Sequence, residues 1–351
     1  MNFTFDNAGQ DFALLGRDVE NGAPVACYSL ADPLKYFTAS LCRGRAVYVT
    51  ADALSAQRAA QSIGALSDKR VALLSAKDEV LFYRKALSKD ALFRRLNALY
   101  EWQSGADIIV GDIEAFMQLV PERLKSFRLT VGKETEMRTL VSSLVAAGYS
   151  REYTAEAKGA FAVRGDVLDI FPVNADHPVR VDFFGDEVES IKPYDEITGE
   201  RYPLLKTLEI VAATDAVPAE GEAERIREAF GREIAAAPNR AARERLGGIA
   251  ADLEADGYRS DFILPLLHTA RSFFDTLSED VLLIFDECKQ IKDRAEAAAQ
   301  EFTERMISLY EGGECARFSA GQLVSPDTLR LTGGARCRCR RLRATPISSI
   351  P

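Results

Sequence analysis

Long apolar runs are the first thing this sequence lacks. No window of its 351 residues reaches the roughly eighteen consecutive apolar residues that a membrane-crossing helix requires. The N-terminus, MNFTFDNAGQDFALLGRDVE, is acidic and has no apolar stretch, so it does not read as a secretory signal. These absences predict a cytoplasmic protein. An excess of positive charge is missing too: the net charge is −9, which argues against a generic phosphate-binding surface and leaves room only for a local basic patch. Histidine is confined to His177 and His268, so no Ser-His or Cys-His nucleophilic pair is written into the chain. Cys27, Cys42, Cys288, Cys315, Cys337 and Cys339 include no C-x-x-C pair, which points to incidental thiols rather than a zinc or disulfide framework.

A phosphate loop is also absent. Nucleotide binding of that type needs G-x-x-x-x-G-K-[ST], whose backbone N–H groups cradle the phosphates. The segment placed to hold it, NGAPVACYSLADPLK (21–35), has Pro24 and Pro33, which lack the donor, and Asp32, which would repel phosphate. The run LLIFDE (282–287) does resemble the apolar strand ending in acids that holds magnesium in ATPases. Without the cradle, Asp286 and Glu287 read as strand-end or helix-capping carboxylates. No ATP hydrolysis, cofactor or metal is expected of this chain.

What is present is an α/β pattern. AVYVT (46–50), VALLS (71–75) and DIIVGD (107–112) read as buried strands separated by amphipathic helices, the arrangement of a parallel sheet covered on both faces. The first helix is expected to stop at Gly64. The second carries Leu92, Leu96 and Leu99 at helical spacing, with Ser88 as N-cap and Gly105 as stop, and a third should end at Pro121. Near residue 125 the pattern changes: one strand and one helix are followed by GAFAVRGDVLDIF (159–171) and HPVRVDFFGDEVESI (177–191), which read as a meander. Gly185-Asp186 supplies a two-residue hairpin turn. Beyond 208 come a long amphipathic stretch (222–256), the strand DVLLIFDE (280–287) and a helix stopped by Gly312. The expected divisions are 1–124 and 208–330 for one discontinuous α/β domain, 125–207 for an inserted α+β domain, and 331–351 for an irregular tail. That tail, ARCRCRRLRATPISSIP over 335–351, is arginine-rich and predicts disorder.

The meander raises its own question, because side chains alternate faces along a strand. Val179, Val181 and Phe183 share one face and belong to the core; Arg180, Asp182 and Phe184 share the other. A phenylalanine flanked on its own face by arginine has the composition of a binding hot spot. In the neighbouring strand Arg164 precedes Gly165, where the missing side chain would let a backbone or partner approach closely. The alternative left open by periodicity is that Arg164 and Arg180 pair with Asp166 and Asp182, and that a loop covers Phe184. Asp166, Asp169 and Asp182 read as counter-charges rather than as paired acid–base catalysts.

The residues from GAFAVRGDVLDIFPV to HPVRVDFFGDEVESIKPYDEITGER resemble the UvrB-homology region of the bacterial transcription-repair coupling factors. The shared pattern is F-A-x-R-G-x-x-x-D-I-F-P, then P-x-R-[IV]-[ED]-x-F-G-D-E-[IV]-E-S-I, then F/Y-D-x-x-[TS]-x-R. The resemblance is specific over 159–201 and looser over 80–330, and IVAATDAVP departs from the family's acidic P-A-x-E. It implies a degenerate P-loop-NTPase-like (RecA-like) α/β domain without its phosphate loop, interrupted by the small α+β domain. It also implies that Arg164, Arg180 and Phe184 are the positions that bind UvrA. UvrB itself, a nucleotide-dependent damage-recognition enzyme, is the alternative. UvrB-like chains carry a phosphate loop and a tyrosine-rich hairpin, whereas DEVLFYRKALSKDALF (78–93) has one tyrosine. Coupling factors continue into an RNA-polymerase-binding module, ATP- and magnesium-dependent DNA translocase domains and a C-terminal domain. None of these is expected here, so the resemblance implies a UvrA-recruiting adaptor that is not itself an enzyme.

Overall fold

The computed structural model describes residues 32–40, 42, 44–77, 89–195 and 202–326. Cys27, Ser88, Cys337, Cys339, most of the 21–35 loop, the EITGER end of the family motif and the 331–351 tail lie outside them.

Helix α1 (Asp32–Ser40) leads into strand β1 (Ala46–Thr50), helix α2 (Ala53–Leu66) and strand β2 (Val71–Leu74). Helix α3 (Asp90–Gln103), strand β3 (Ile108–Asp112) and the short helix α4 (Ile113–Met117) follow. Every residue of β1 and β3 is buried, as their unbroken apolar runs require in the middle of a parallel sheet. One side of the sheet, with Tyr48 and Val110, packs on Ala56, Ala59 and Ile63 of α2. The other, with Val47, Val49 and Ile109, packs on Leu99 and Trp102 of α3 and Phe116 of α4. Asp52 and Asp112 cap α2 and α4, accepting the backbone N–H groups of Ser55 (2.9 Å) and Ala115 (2.7 Å).

Strand β4 (Val120–Pro121) still belongs to the first core through Val120, and strand β5 (Ser126–Thr130) and helix α5 (Met137–Ala146) open the second unit. Strands β6 (Ser150–Arg151), β7 (Ala160–Arg164), β8 (Val167–Ile170), β9 (Val179–Phe184) and β10 (Glu187–Pro193) form a mixed sheet in the order β10-β9-β8-β7-β6. The β7–β10 meander is antiparallel and β6 lies parallel to β7. Strand β11 (Thr207–Val211) returns to pair with β5. The core of this unit joins Phe161, Leu168, Val181 and Phe183 to Leu140 and Leu144 of α5, and Phe93 and Leu96 of α3 pack into it. Helix α3 therefore serves two cores.

The chain continues through helix α6 (Glu222–Ala235), helix α7 (Arg240–Ala255), strand β12 (Ala270–Arg271), strand β13 (Leu282–Phe285) and helix α8 (Cys288–Gly312). Strand β13 pairs in parallel with β1, Val47 opposite Leu283, giving the four-stranded order β13-β1-β3-β2. The protein is thus α/β, with a parallel four-stranded sheet and a separate mixed sheet. Buried between the segments, Lys77 pairs with Asp215 at 2.9 Å, while Arg95, wholly enclosed, donates to the carbonyls of Ser75 and Ala115.

Several boundaries depart from the sequence reading. Gly64 lies inside α2, which runs on to Leu66, because tertiary packing of Ile63 outweighs the modest helix penalty of one glycine. Helix α4 ends at Met117, and Pro121 sits in β4 instead. The 222–256 stretch divides into α6 and α7 at Pro238, with Asn239 capping α7 through the Ala242 N–H. Helix α8 does end at Gly312 as expected, with Gly313, at φ +71°, as the left-handed cap that follows it. Gly105 does follow the end of α3 with a left-handed φ of +93°.

Candidate docking face on the mixed sheet

Strand register places the candidate residues. Across the sheet, Ala162, Asp169, Arg180 and Lys192 form one row, and Arg164, Val167, Asp182 and Ser190 form the next. Phe184 stands two residues beyond Asp182 and opposite Glu187. Val179, Val181 and Phe183 are buried on the inner side, so the alternation expected of β9 holds. Arg164 and Phe184 both precede hairpin turns, Gly165-Asp166 and Gly185-Asp186, at the same end of the sheet. Two interstrand spacings and a two-residue offset along the strand separate them, about 12 Å in all. Gly165 (φ +61°) and Gly185 (φ +63°) supply the left-handed residue that each tight turn needs. A Cβ on Gly165 would meet no atom of this chain within 4 Å, so within the chain Gly165 serves turn geometry rather than a close backbone approach.

The charges pair differently from the alternative considered above. Arg180 grips Asp169, directly opposite it, through Nε–Oδ1 (2.7 Å) and Nη2–Oδ2 (2.9 Å), and its guanidinium lies 5.6 Å from the Tyr194 ring. Hydrogen bonding to Asp169 raises the Arg180 pKa. Asp182 instead accepts from Lys192 Nζ and Ser190 Oγ, each at 2.6 Å. Burial would raise its pKa, but these donors and the Lys192 charge win and hold it below the usual carboxylate value. Arg164 has no ion pair among the described residues: its Nη2 donates to the Tyr153 carbonyl (2.8 Å), and its guanidinium stacks 5.2 Å from the Tyr153 ring. Phe184 is uncovered, with 81% of its surface exposed.

Asp169 is one of the counter-charges expected from the sequence, but its pairing with Arg180, like the contact of Tyr153 with Arg164, was not legible in the chain. Asp169 is opposite Arg180 only through the β8–β9 register, and Tyr153 reaches Arg164 from the loop after β6, eleven residues away. The strand-facing alternation that singles out Arg180 carries no information about a residue in a neighbouring loop.

The strand-end acids at β13 are already matched from within. Lys35 Nζ, on α1, lies 2.9 Å from both Asp286 Oδ1 and Glu287 Oε1, and Tyr48 donates to Asp286 Oδ2 at 3.0 Å. Burial alone would lower the Lys35 pKa, but the hydrogen bonds to Asp286 and Glu287 outweigh it and raise it. Asp286 thus closes a strand, as expected, while Glu287 takes a left-handed backbone (φ +62°) before α8 without capping it through its side chain. Among the described residues no cluster of three or more His, Cys, Asp or Glu is placed to hold a metal, and no helix is long and apolar enough to cross a membrane. His177 stacks on Tyr202, and His268 faces Arg225. Cys42, Cys288 and Cys315 are free thiols.

Residues 127–215, which contain the whole mixed sheet, match the family model of the UvrB interaction domain. The transcription-repair-coupling factor of Bacillus subtilis is 27% identical over 287 residues, 76% of this chain and 24% of that protein. The corresponding factor of Myxococcus xanthus is 36% identical over 160 residues, 43% of this chain and 13% of that protein. UvrABC system protein B of Thermosynechococcus vestitus is 43% identical over 117 residues, 32% of this chain and 18% of that protein. The chain therefore spans a quarter or less of the length of these curated relatives. It is a homologue of the transcription-repair coupling factors over 76% of its residues, and it carries the UvrB interaction domain of their N-terminal, UvrB-like region.

Proposed function

We propose that this chain is a UvrA-docking adaptor, recruiting UvrA in nucleotide excision repair as the N-terminal module of a coupling factor. The observation that supports this most is Phe184, bare at a hairpin tip inside the UvrB interaction domain, with Arg164 and Arg180 on the same sheet face. An exposed aromatic ring next to arginines is the composition of an interface centre. The reading gives no catalytic role to any residue of this chain; contact with RNA polymerase or DNA would belong to other domains of the family. It takes the parallel sheet as a P-loop-NTPase-like (RecA-like) body that has lost its phosphate loop, formed from 1–124 and 208–330 around an inserted 125–207 domain, in the cytoplasm. Pairing of β13 with β1 supports that discontinuous body, and the internal matching of Asp286 and Glu287 by Lys35 supports a loss of nucleotide binding.

The test is titration of the purified chain and its variants with UvrA. Phe184→Ala and Arg180→Ala should each cost about 2 kcal/mol or more of binding free energy, while the variants keep the parent circular dichroism. Unchanged affinity in both would discard the assignment.

A further inference from the structure

We infer that Tyr153 is a further anchor of this face, working as a unit with Arg164, and that the partner surface presents a carboxylate to that guanidinium beside an apolar seat for the tyrosine ring. This rests on the docking face proposed above and deepens it.

The argument starts from which charges the face has left. Arg180 is matched by Asp169 and Asp182 by Lys192. Among the described residues, Arg164 is the guanidinium of this face without a carboxylate within ion-pairing distance, and its neighbour is the π-face of Tyr153. A ring that stacks on a guanidinium orients it without neutralising it. The hydrogen bond from Arg164 Nη2 to the Tyr153 carbonyl fixes the same side chain from a second direction. Arg164 is therefore held in place with its charge available, whereas the charge of Arg180 is already satisfied. At the other end of the face Glu187, opposite Phe184, also has no ion pair among the described residues.

Tyr153 itself is 86% exposed, more so than Phe184, and lies in the loop that follows the edge strand β6. Its ring already makes the Arg164 contact, which biases its orientation before binding. Tyrosine, with two side-chain torsions, provides large amphipathic contact area at low ordering cost. Two bare aromatic rings flank the available guanidinium, and this triangle is the shape the partner must match.

The experiment uses UvrA as the probe, with Tyr153→Ala, Tyr153→Phe, Arg164→Gln, Arg180→Ala and Phe184→Ala of the full chain, each titrated from about 50 to 300 mM salt. Tyr153→Ala should weaken binding about tenfold or more, and Tyr153→Phe should stay within about twofold of the parent, because the ring and not the hydroxyl carries the contact. Arg164→Gln should flatten the salt dependence, while Arg180→Ala should weaken binding with the parent's salt slope, its charge being matched within the chain. If Phe184→Ala weakens binding and Tyr153→Ala does not, this inference fails and the docking face stands. Equal salt slopes for Arg164→Gln and the parent would also overturn it. If the parent chain does not bind UvrA, the functional reading fails first.

Discussion

Phe183 and Phe184 are consecutive residues of β9 with opposite fates: Phe183 is 5% exposed in the core beneath the sheet, and Phe184 is 81% exposed on top of it. The pleat alone separates them. Phe183→Ala should cost about 3–5 kcal/mol of stability, the range for deleting a buried aromatic ring. Phe184→Ala should fall within about 0.5 kcal/mol of the parent, since exposed substitutions away from any structural contact do little. Urea unfolding of the two variants reads the difference directly, and a destabilised Phe184→Ala would mean that the ring is covered in solution.

The Arg180–Asp169 pair can be weighed by a double-mutant cycle. Asp169 is buried, but Arg180 keeps 45% of its side chain in water, which screens the attraction. A coupling of about 1 kcal/mol is expected, well short of the 3–5 kcal/mol for breaking a fully buried pair. Asp169→Asn should also weaken UvrA binding, because Arg180 loses the bidentate grip that orients it.

Gly159 and Gly165 provide a matched contrast. Both have left-handed φ values, +80° and +61°, but a Cβ on Gly159 would stand 2.6 Å from Cζ of Phe93, while one on Gly165 would meet nothing within 4 Å. Gly165→Ala should cost about 1 kcal/mol from backbone strain alone. Gly159→Ala should cost more, and thermal melts should show Phe93→Leu recovering part of that excess by relieving the clash.

Acid should loosen the start of α6. The carboxylate of Glu222 accepts the backbone N–H groups of His268 and Ala219, each at 2.8 Å, and pairs with Arg225. Burial pushes its pKa up, but these donors win and hold it below the ordinary 4.5. A depressed folded pKa means that the stabilisation is complete above about pH 4.5 and disappears as the pH falls through the folded value. Glu222→Gln should cost about 1–2 kcal/mol at neutral pH and flatten the stability profile between about pH 5 and 3. An unchanged profile would refute the assignment.

Nucleotide should leave the fold unmoved. A ligand at 100 times its dissociation constant would stabilise the protein by about 2.7 kcal/mol. With Lys35 already between Asp286 and Glu287, a thermal-shift assay with magnesium and ATP should show no displacement of the melting temperature. A clear upward shift would favour an enzyme of the UvrB type.

How far the chain could be read in advance varied with the range of the interaction involved. The strands β1 and β3, the faces of β9 and the Gly185-Asp186 turn were all legible, because alternation, apolar runs and turn chemistry act over a few residues. Helix limits at Gly64 and Pro121 were misread where packing overruled a local stop. Arg95 is wholly buried among backbone carbonyls, and nothing within α3 distinguishes it from a solvent-facing arginine.

By itself, then, the amino-acid order determined which side chains of β9 point outward and that Gly185-Asp186 turns the β9–β10 hairpin, because both follow from local backbone geometry. Only the tertiary structure decided that Asp169 takes Arg180, that Tyr153 rather than any described carboxylate meets Arg164, and that Lys35 reaches Asp286 from some 250 positions away. Those pairings depend on strand register and chain crossings, and electrostatic partners are chosen by distance in space rather than along the chain.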